Sequence, residues 1–137
     1  MNIYRAPFTH LSALGEIHGD IHHSVDNIER KGRIVFAHGY KGFKDWGAWD
    51  LLGDALAKEG WDFVRFNFSH NGHIKPNLLD CSDEISWSKN TYSIEKSDLE
   101  SVLKFTREGM LNESEQLIVM GHSRGGGIAS LAATSAD

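Results

Sequence analysis

Leu117-Ile118-Val119-Met120-Gly121-His122-Ser123-Arg124-Gly125-Gly126 is the stretch that decides the fold of this chain. Four apolar residues run unbroken into a glycine-flanked serine, and small residues follow before a short helical pattern that begins near Ile128. A continuous apolar run bounded by turn residues fits a strand buried on both faces. The stretch therefore reads as strand, sharp turn and helix, a context in which the strained turn lifts the serine hydroxyl clear of the sheet edge.

Working outward, Arg33-Ile34-Val35-Phe36-Ala37 is a second buried strand, closed by His38-Gly39. Over residues 46–59 the apolar positions Trp49, Leu52, Ala55 and Leu56 fall at helical spacing, and Gly60 stops the pattern. Residues 61–68 form another strand, whose alternation sets Phe63, Arg65 and Asn67 against Val64, Phe66 and Phe68 and leaves one face more polar. Ser69-His70-Asn71-Gly72 is turn chemistry. Ser93, with Glu95 in the first turn, caps a helix that carries Leu99, Val102 and Leu103 and ends near Gly109. Residues 8–23 alternate only partly and suit one or two exposed antiparallel strands, 27–32 make a charged turn, and 73–92 read as a long surface loop. Residues 116–120 supply the third buried strand. Strands alternating with helices demand an α/β fold with a mostly parallel sheet and right-handed crossovers. The 137 residues are a single domain or part of one, without internal repeat or low-complexity tract.

Composition narrows the function classes. The chain is 40% apolar and 24% charged, the balance of a soluble globular protein. A net charge of −5 without a basic run argues against a nucleic-acid partner. The single cysteine, Cys81, forms no internal disulfide, and no apolar stretch approaches the length of a membrane span. Residues 1–7 lack the charged and apolar regions of a secretory signal, so a cytoplasmic location is expected.

The chemistry centres on Ser123. Its pentapeptide alone arises by chance in roughly one chain in eight of this composition, and the strand before it gives it meaning. Acyl transfer needs donors aimed at the oxygen that turns negative, and the residue after the serine supplies one, the N–H of Arg124. The loop His38-Gly39-Tyr40-Lys41-Gly42, directly after a buried strand, supplies the N–H of Tyr40 as its partner.

Three segments together carry a resemblance: Val35-Phe36-Ala37-His38-Gly39-Tyr40-Lys41-Gly42, Phe66-Asn67-Phe68-Ser69-His70-Asn71-Gly72 and Gly121-His122-Ser123-Arg124-Gly125-Gly126. In order and spacing they resemble the α/β-hydrolase superfamily, in particular the dienelactone hydrolase-like and acylaminoacyl-peptidase-like serine esterases. The resemblance covers residues 10–137. It implies a three-layer sandwich seen as its N-terminal part, Ser123 as nucleophile, an oxyanion hole at Tyr40 and Arg124, and a small ester, thioester or amide as substrate. It implies no cofactor. In that family the acid and then the histidine follow the serine on later strands, so both are expected outside these residues. The competing expectation is a non-catalytic interaction module that keeps the front half of the fold.

Among the histidines, His122 adjoins the serine and should diverge from its hydroxyl, His38 suits structural hydrogen bonds, and His70 and His73 are the internal candidates for a base. His38, Gly39, Trp46, His70 and His122 are candidate pocket residues, while Trp49 is expected in the core. Arg124 either binds a substrate carboxylate or is anchored to the surrounding protein. His18, His22, His23 and Asp20 resemble a metal cluster, but no Cys or second His pair completes a tetrahedral set, so no metal is expected. Glu95, Asp98 and Glu100 read as a solvated helix face, and Cys81 as a bystander. The edge of the strand at 116–120 is expected to be covered by the second half of the domain or by self-association.

Overall fold

The computed structural model describes residues 2–26, 28–110 and 114–135. Its elements are β1 (Ile3–Ser12), β2 (Gly15–Ser24), β3 (Gly32–Ala37), α1 (Trp49–Lys58), β4 (Trp61–Phe66), α2 (Glu84–Lys89), α3 (Tyr92–Glu108), β5 (Gln116–Gly121) and α4 (Arg124–Ser135).

Side-chain alternation in β3 and β4 creates the layers. Ile34, Phe36 and Phe63 point to one side, where Trp49, Leu52 and Leu56 of α1 cover them. Val35, Ala37, Val64 and Phe66 point to the other, against Leu99 and Val102 of α3 and Ile128 and Ala132 of α4. The result is three layers, helix on sheet on helix. The strand order is β1-β2-β4-β3-β5, with β4, β3 and β5 parallel and β2 antiparallel to both β1 and β4. The sheet is thus mixed, with two of its four pairings parallel.

Several expectations are corrected. The first strands are longer than 8–23 and pair as a full hairpin from Ile3 opposite Ser24 to Ser12 opposite Gly15. Of the expected turn at 27–32, Asn27 lies outside the described residues and Gly32 already belongs to β3. The N-cap of α3 is Thr91, whose hydroxyl accepts from Ile94 N–H at 3.2 Å, so the helix starts one residue before Ser93. Residues 73–92 are not all loop: α2 lies within them, capped by Asp83, and its lack of any buried residue left no periodicity to find. The last helix begins at Arg124, directly after the serine, rather than near Ile128.

Two burial expectations also fail. Glu95 and Asp98 are 4% and 0% exposed, because α4 and the residues after β4 supply polar partners to that face of α3; only Glu100, paired with Lys96, is half exposed. The strand at β5 is not buried on both faces. It pairs with β3 alone among the described residues, and Ile118 stays 37% exposed.

Candidate active site

The turn after β5 is shaped by two glycines. A Cβ on Gly121 would lie 2.3 Å from Gly125 O, and one on Gly125 would lie 2.1 Å from Ala37 O, distances no side chain survives. Strand and helix therefore meet backbone to backbone. Gly126 and Gly127 have no such neighbour, and Gly127 faces open space. Between Gly121 and Gly125 the chain turns so tightly that Ser123 adopts φ 56°, a left-handed conformation costly for a residue with a Cβ. Its side chain is exposed and has no hydrogen-bond partner among the described residues.

The loop after β3 is brought against this turn. A Cβ on Gly39 would sit 3.3 Å from Ser123 Cβ and 3.1 Å from His122 O, so a side chain there would crowd the two segments where they touch. Gly42 N–H donates to Gly39 O at 2.9 Å, while Lys41 takes φ 58°. The N–H groups of Tyr40 and Arg124 have no hydrogen-bond acceptor among the described residues; Arg124 opens α4, where N–H groups have no helical partner.

Why the loop holds its shape is visible in β4. Asn67 Oδ1 accepts from Lys44 N–H at 2.7 Å, and Arg65 Nη1 donates to both Lys44 O and Asp45 Oδ1 at 2.8 Å. Lys44 Nζ bridges Asp20 and Asp45 at 2.6 and 2.9 Å. Burial alone would raise Asp45, yet the hydrogen bonds from Lys44 and Arg65 outweigh it and hold its carboxyl below the usual range. Arg65 in β4 and Asn67 just past its end, where the strand stops short of the expected 68, are thus a buried anchor for residues 44–45, a role that sequence alternation alone left unassigned.

The histidines divide clearly. His38 is buried; its Nδ1–H donates to Gly39 O at 2.9 Å and its Nε2 accepts from Phe68 N–H at 3.4 Å. Burial pulls its pKa down to about 4, so the ring is neutral and structural. The ring of His122 lies 5.1 Å from Trp49 and 6.2 Å from Trp46, towards α1. Trp49 also packs on Phe36 at 4.5 Å, whereas Trp46 is 48% exposed. His70 is tied to Ser69 Oγ at 2.8 Å and lies outside the cavity described below. His73 lines that cavity, with its Nδ1 bonded to Leu78 O and its ring stacked on Phe43.

The N-terminal histidines take separate partners: His18 pairs with Thr9 and Glu16, His22 with Asp54 and Arg65, His23 with Asp62. No cluster of three His, Cys, Asp or Glu side chains among the described residues is placed to hold a metal ion.

Beside the turn opens a cavity of about 860 Å3, lined by His38, Gly39, Tyr40, Trp87, Glu95 and Arg124 among others. Cys81 reaches it as well, its thiol held at Asn71 O. Arg124 is anchored as one of its two expectations had it: its Nε donates to Glu95 Oε1 at 2.7 Å, and Asn90 Nδ2 donates to the other oxygen at 2.9 Å. Burial pushes the Glu95 carboxyl up, against those bonds.

No family model matches the sequence, and no curated protein matches it. Solved structures do. A dienelactone hydrolase from Anabaena variabilis superposes with a TM-score of 0.76 at 15% identity over 98% of this chain and 59% of that one. An α/β serine hydrolase without a lid from Xanthomonas campestris gives 0.68 at 18% identity over 98% and 58%. A cold-adapted esterase from an Arctic intertidal metagenomic library gives 0.72 at 14% identity over 100% and 57%. The chain has the fold of the α/β hydrolases and spans somewhat under three fifths of the length of these proteins.

Proposed function

We propose that this chain is the nucleophile-bearing part of a serine hydrolase that cleaves a carboxylic ester, thioester or amide. The observation that carries the reading is Ser123 itself: exposed, unpaired and held at φ 56° between β5 and α4. Its Oγ attacks the substrate carbonyl carbon while a base takes the hydroxyl proton. The oxygen that becomes negative is held by the N–H groups of Tyr40 and Arg124, both without another acceptor among the described residues. The carbon–heteroatom bond then breaks, the leaving group takes the proton, and water releases the acyl group from Ser123 by the same steps in reverse.

The base and its orienting acid are supplied from outside these 137 residues. Support comes from the histidines within reach of the cavity: His38 spends both ring nitrogens on the backbone, and His73 spends Nδ1 on Leu78 O. No helix among the described residues is long and apolar enough to cross a membrane. With a lone cysteine that forms no internal disulfide, this supports a cytoplasmic protein.

The test is a fluorophosphonate probe and a short-chain nitrophenyl ester, applied to the chain with its base-bearing complement and to its Ser123→Ala variant. Labelling and turnover that vanish in the variant are expected. Labelling that survives Ser123→Ala would overturn the assignment, and none in either protein would favour a non-catalytic module.

A further inference from the structure

Arg124 carries a side-chain arrangement that a backbone oxyanion donor does not need. Its guanidinium lies 4.2 Å over the ring of Tyr92, with Nε spent on Glu95. Glu95 is buried and fixed in turn by Asn90. The plane of the guanidinium is therefore set by a ring beneath it and a carboxylate at one edge. Those contacts use one of its five N–H donors. Among the described residues, no hydrogen bond takes the four donors on Nη1 and Nη2, and the side chain stays 18% exposed at the wall of the cavity beside Ser123. A rigid guanidinium with a two-nitrogen edge unspent matches a planar carboxylate in bidentate geometry.

The rest of the wall defines the company. Tyr40 and Trp87 line the same space, their rings 6.2 Å apart, and Tyr40 is 60% exposed. Lys41 and Glu84 are the other charged residues of the wall. Two carboxylates, Glu84 and Glu95, oppose a dianion such as a phosphate monoester and leave a monoanion as the better fit.

We infer that the cavity is a carboxylate-binding subsite, in which the Nη1/Nη2 edge of Arg124 grips a carboxylate borne by an acyl substrate and Tyr40 and Trp87 flank its apolar body. The inference rests on the reading of Ser123 for the acyl group alone; the pairing of Arg124 with a carboxylate does not depend on turnover. Because the same residue donates the oxyanion N–H and holds the carboxylate, the substrate's charged group lies within one arginine side chain of the reacting carbonyl.

Binding of phenylacetate and of its neutral counterpart phenylacetamide to the 137-residue chain, followed by calorimetric titration, tests this without any chemistry. The acid should bind at least tenfold more tightly than the amide. Arg124→Gln should bring the two within twofold, and Arg124→Lys, which keeps the charge but loses the fork, should leave at most threefold. Because Arg124→Gln leaves the buried Glu95 unpaired, the double variant Glu95→Gln/Arg124→Gln replaces it should the single one fail to fold. Absence of binding, equal affinity for acid and amide, or a preference that survives loss of the guanidinium would each overturn the subsite. Fluorophosphonate labelling of Ser123, read in the chain with its base-bearing complement, is scored separately: intact labelling without acid preference removes only the subsite, and acid preference without labelling removes only the nucleophile.

Discussion

At the scale of single residues, the turn at 121–127 separates glycines that the fold requires from glycines it merely contains. Gly125→Ala would drive a methyl group to 2.1 Å from Ala37 O, and a stability loss of more than about 2 kcal/mol is expected. Gly127→Ala enters open space within α4 and should stabilise by about 0.5–1 kcal/mol, since it removes backbone freedom from the unfolded chain. Urea titrations of both variants check the pair, and equal effects would show that the close approach is not where the geometry puts it. Ser123 obeys the same logic. At φ 56° any Cβ is strained, so Ser123→Gly should be more stable than Ser123→Ala by about 1 kcal/mol, although both lack the hydroxyl. Such a difference would place the strain in the backbone of Ser123 rather than in its side-chain contacts.

Among the elements, β3 with its following loop is made pH-sensitive by His38. Its folded pKa of about 4 lies below the ordinary histidine value of about 6.5 because burial disfavours the charged ring. Between those values the unfolded chain binds a proton that the folded chain refuses. Stability therefore falls as pH drops through that window, by up to about 3 kcal/mol, and this group adds nothing further below it. Glu95 and Asp98, both raised by burial, act in the opposite sense and are common to wild type and variant, so they cancel in a difference. Urea midpoints from pH 7 to pH 4 should therefore fall more steeply for wild type than for His38→Asn, and parallel curves would exclude the buried ring as the cause. The strands were legible in the sequence because apolar runs need no knowledge of partners. Arg65 and Asn67 were not, since what makes their polar face a buried anchor is Lys44 and Asp45, twenty or more residues away in the chain. Glu95 and Asp98 misled for the same reason: charges at helical spacing read as solvated until Arg124 and Ser69 N–H are placed beside them. The serine turn and the loop at 38–42 were legible as motifs, whereas their contact at Gly39 and the Asn90, Tyr92 and Glu95 cradle around Arg124 were not, because no motif spans them.

For the whole molecule, the position of β5 governs behaviour in solution. All six of its residues pair with β3, and its other edge meets no strand among the described residues. The element that leads into Ser123 is thus also the sheet's open margin, with Ile118 partly exposed on it. An apolar edge with unpaired N–H and C=O groups is a template for another strand. We propose that it is covered in function by further strands, a partner or a second copy, and the 137-residue chain alone exposes which forces act there. Light scattering should return a mass above 15.3 kDa that rises with concentration. Ile118→Lys, which places a charge on the edge while leaving Leu117 and Val119 to pack on the core below, should return it towards the monomer. A chain that stays monomeric over the same range would mean that β5, with its exposed Gln116, protects the margin by itself, and that the turn at Ser123 needs no neighbour for its stability.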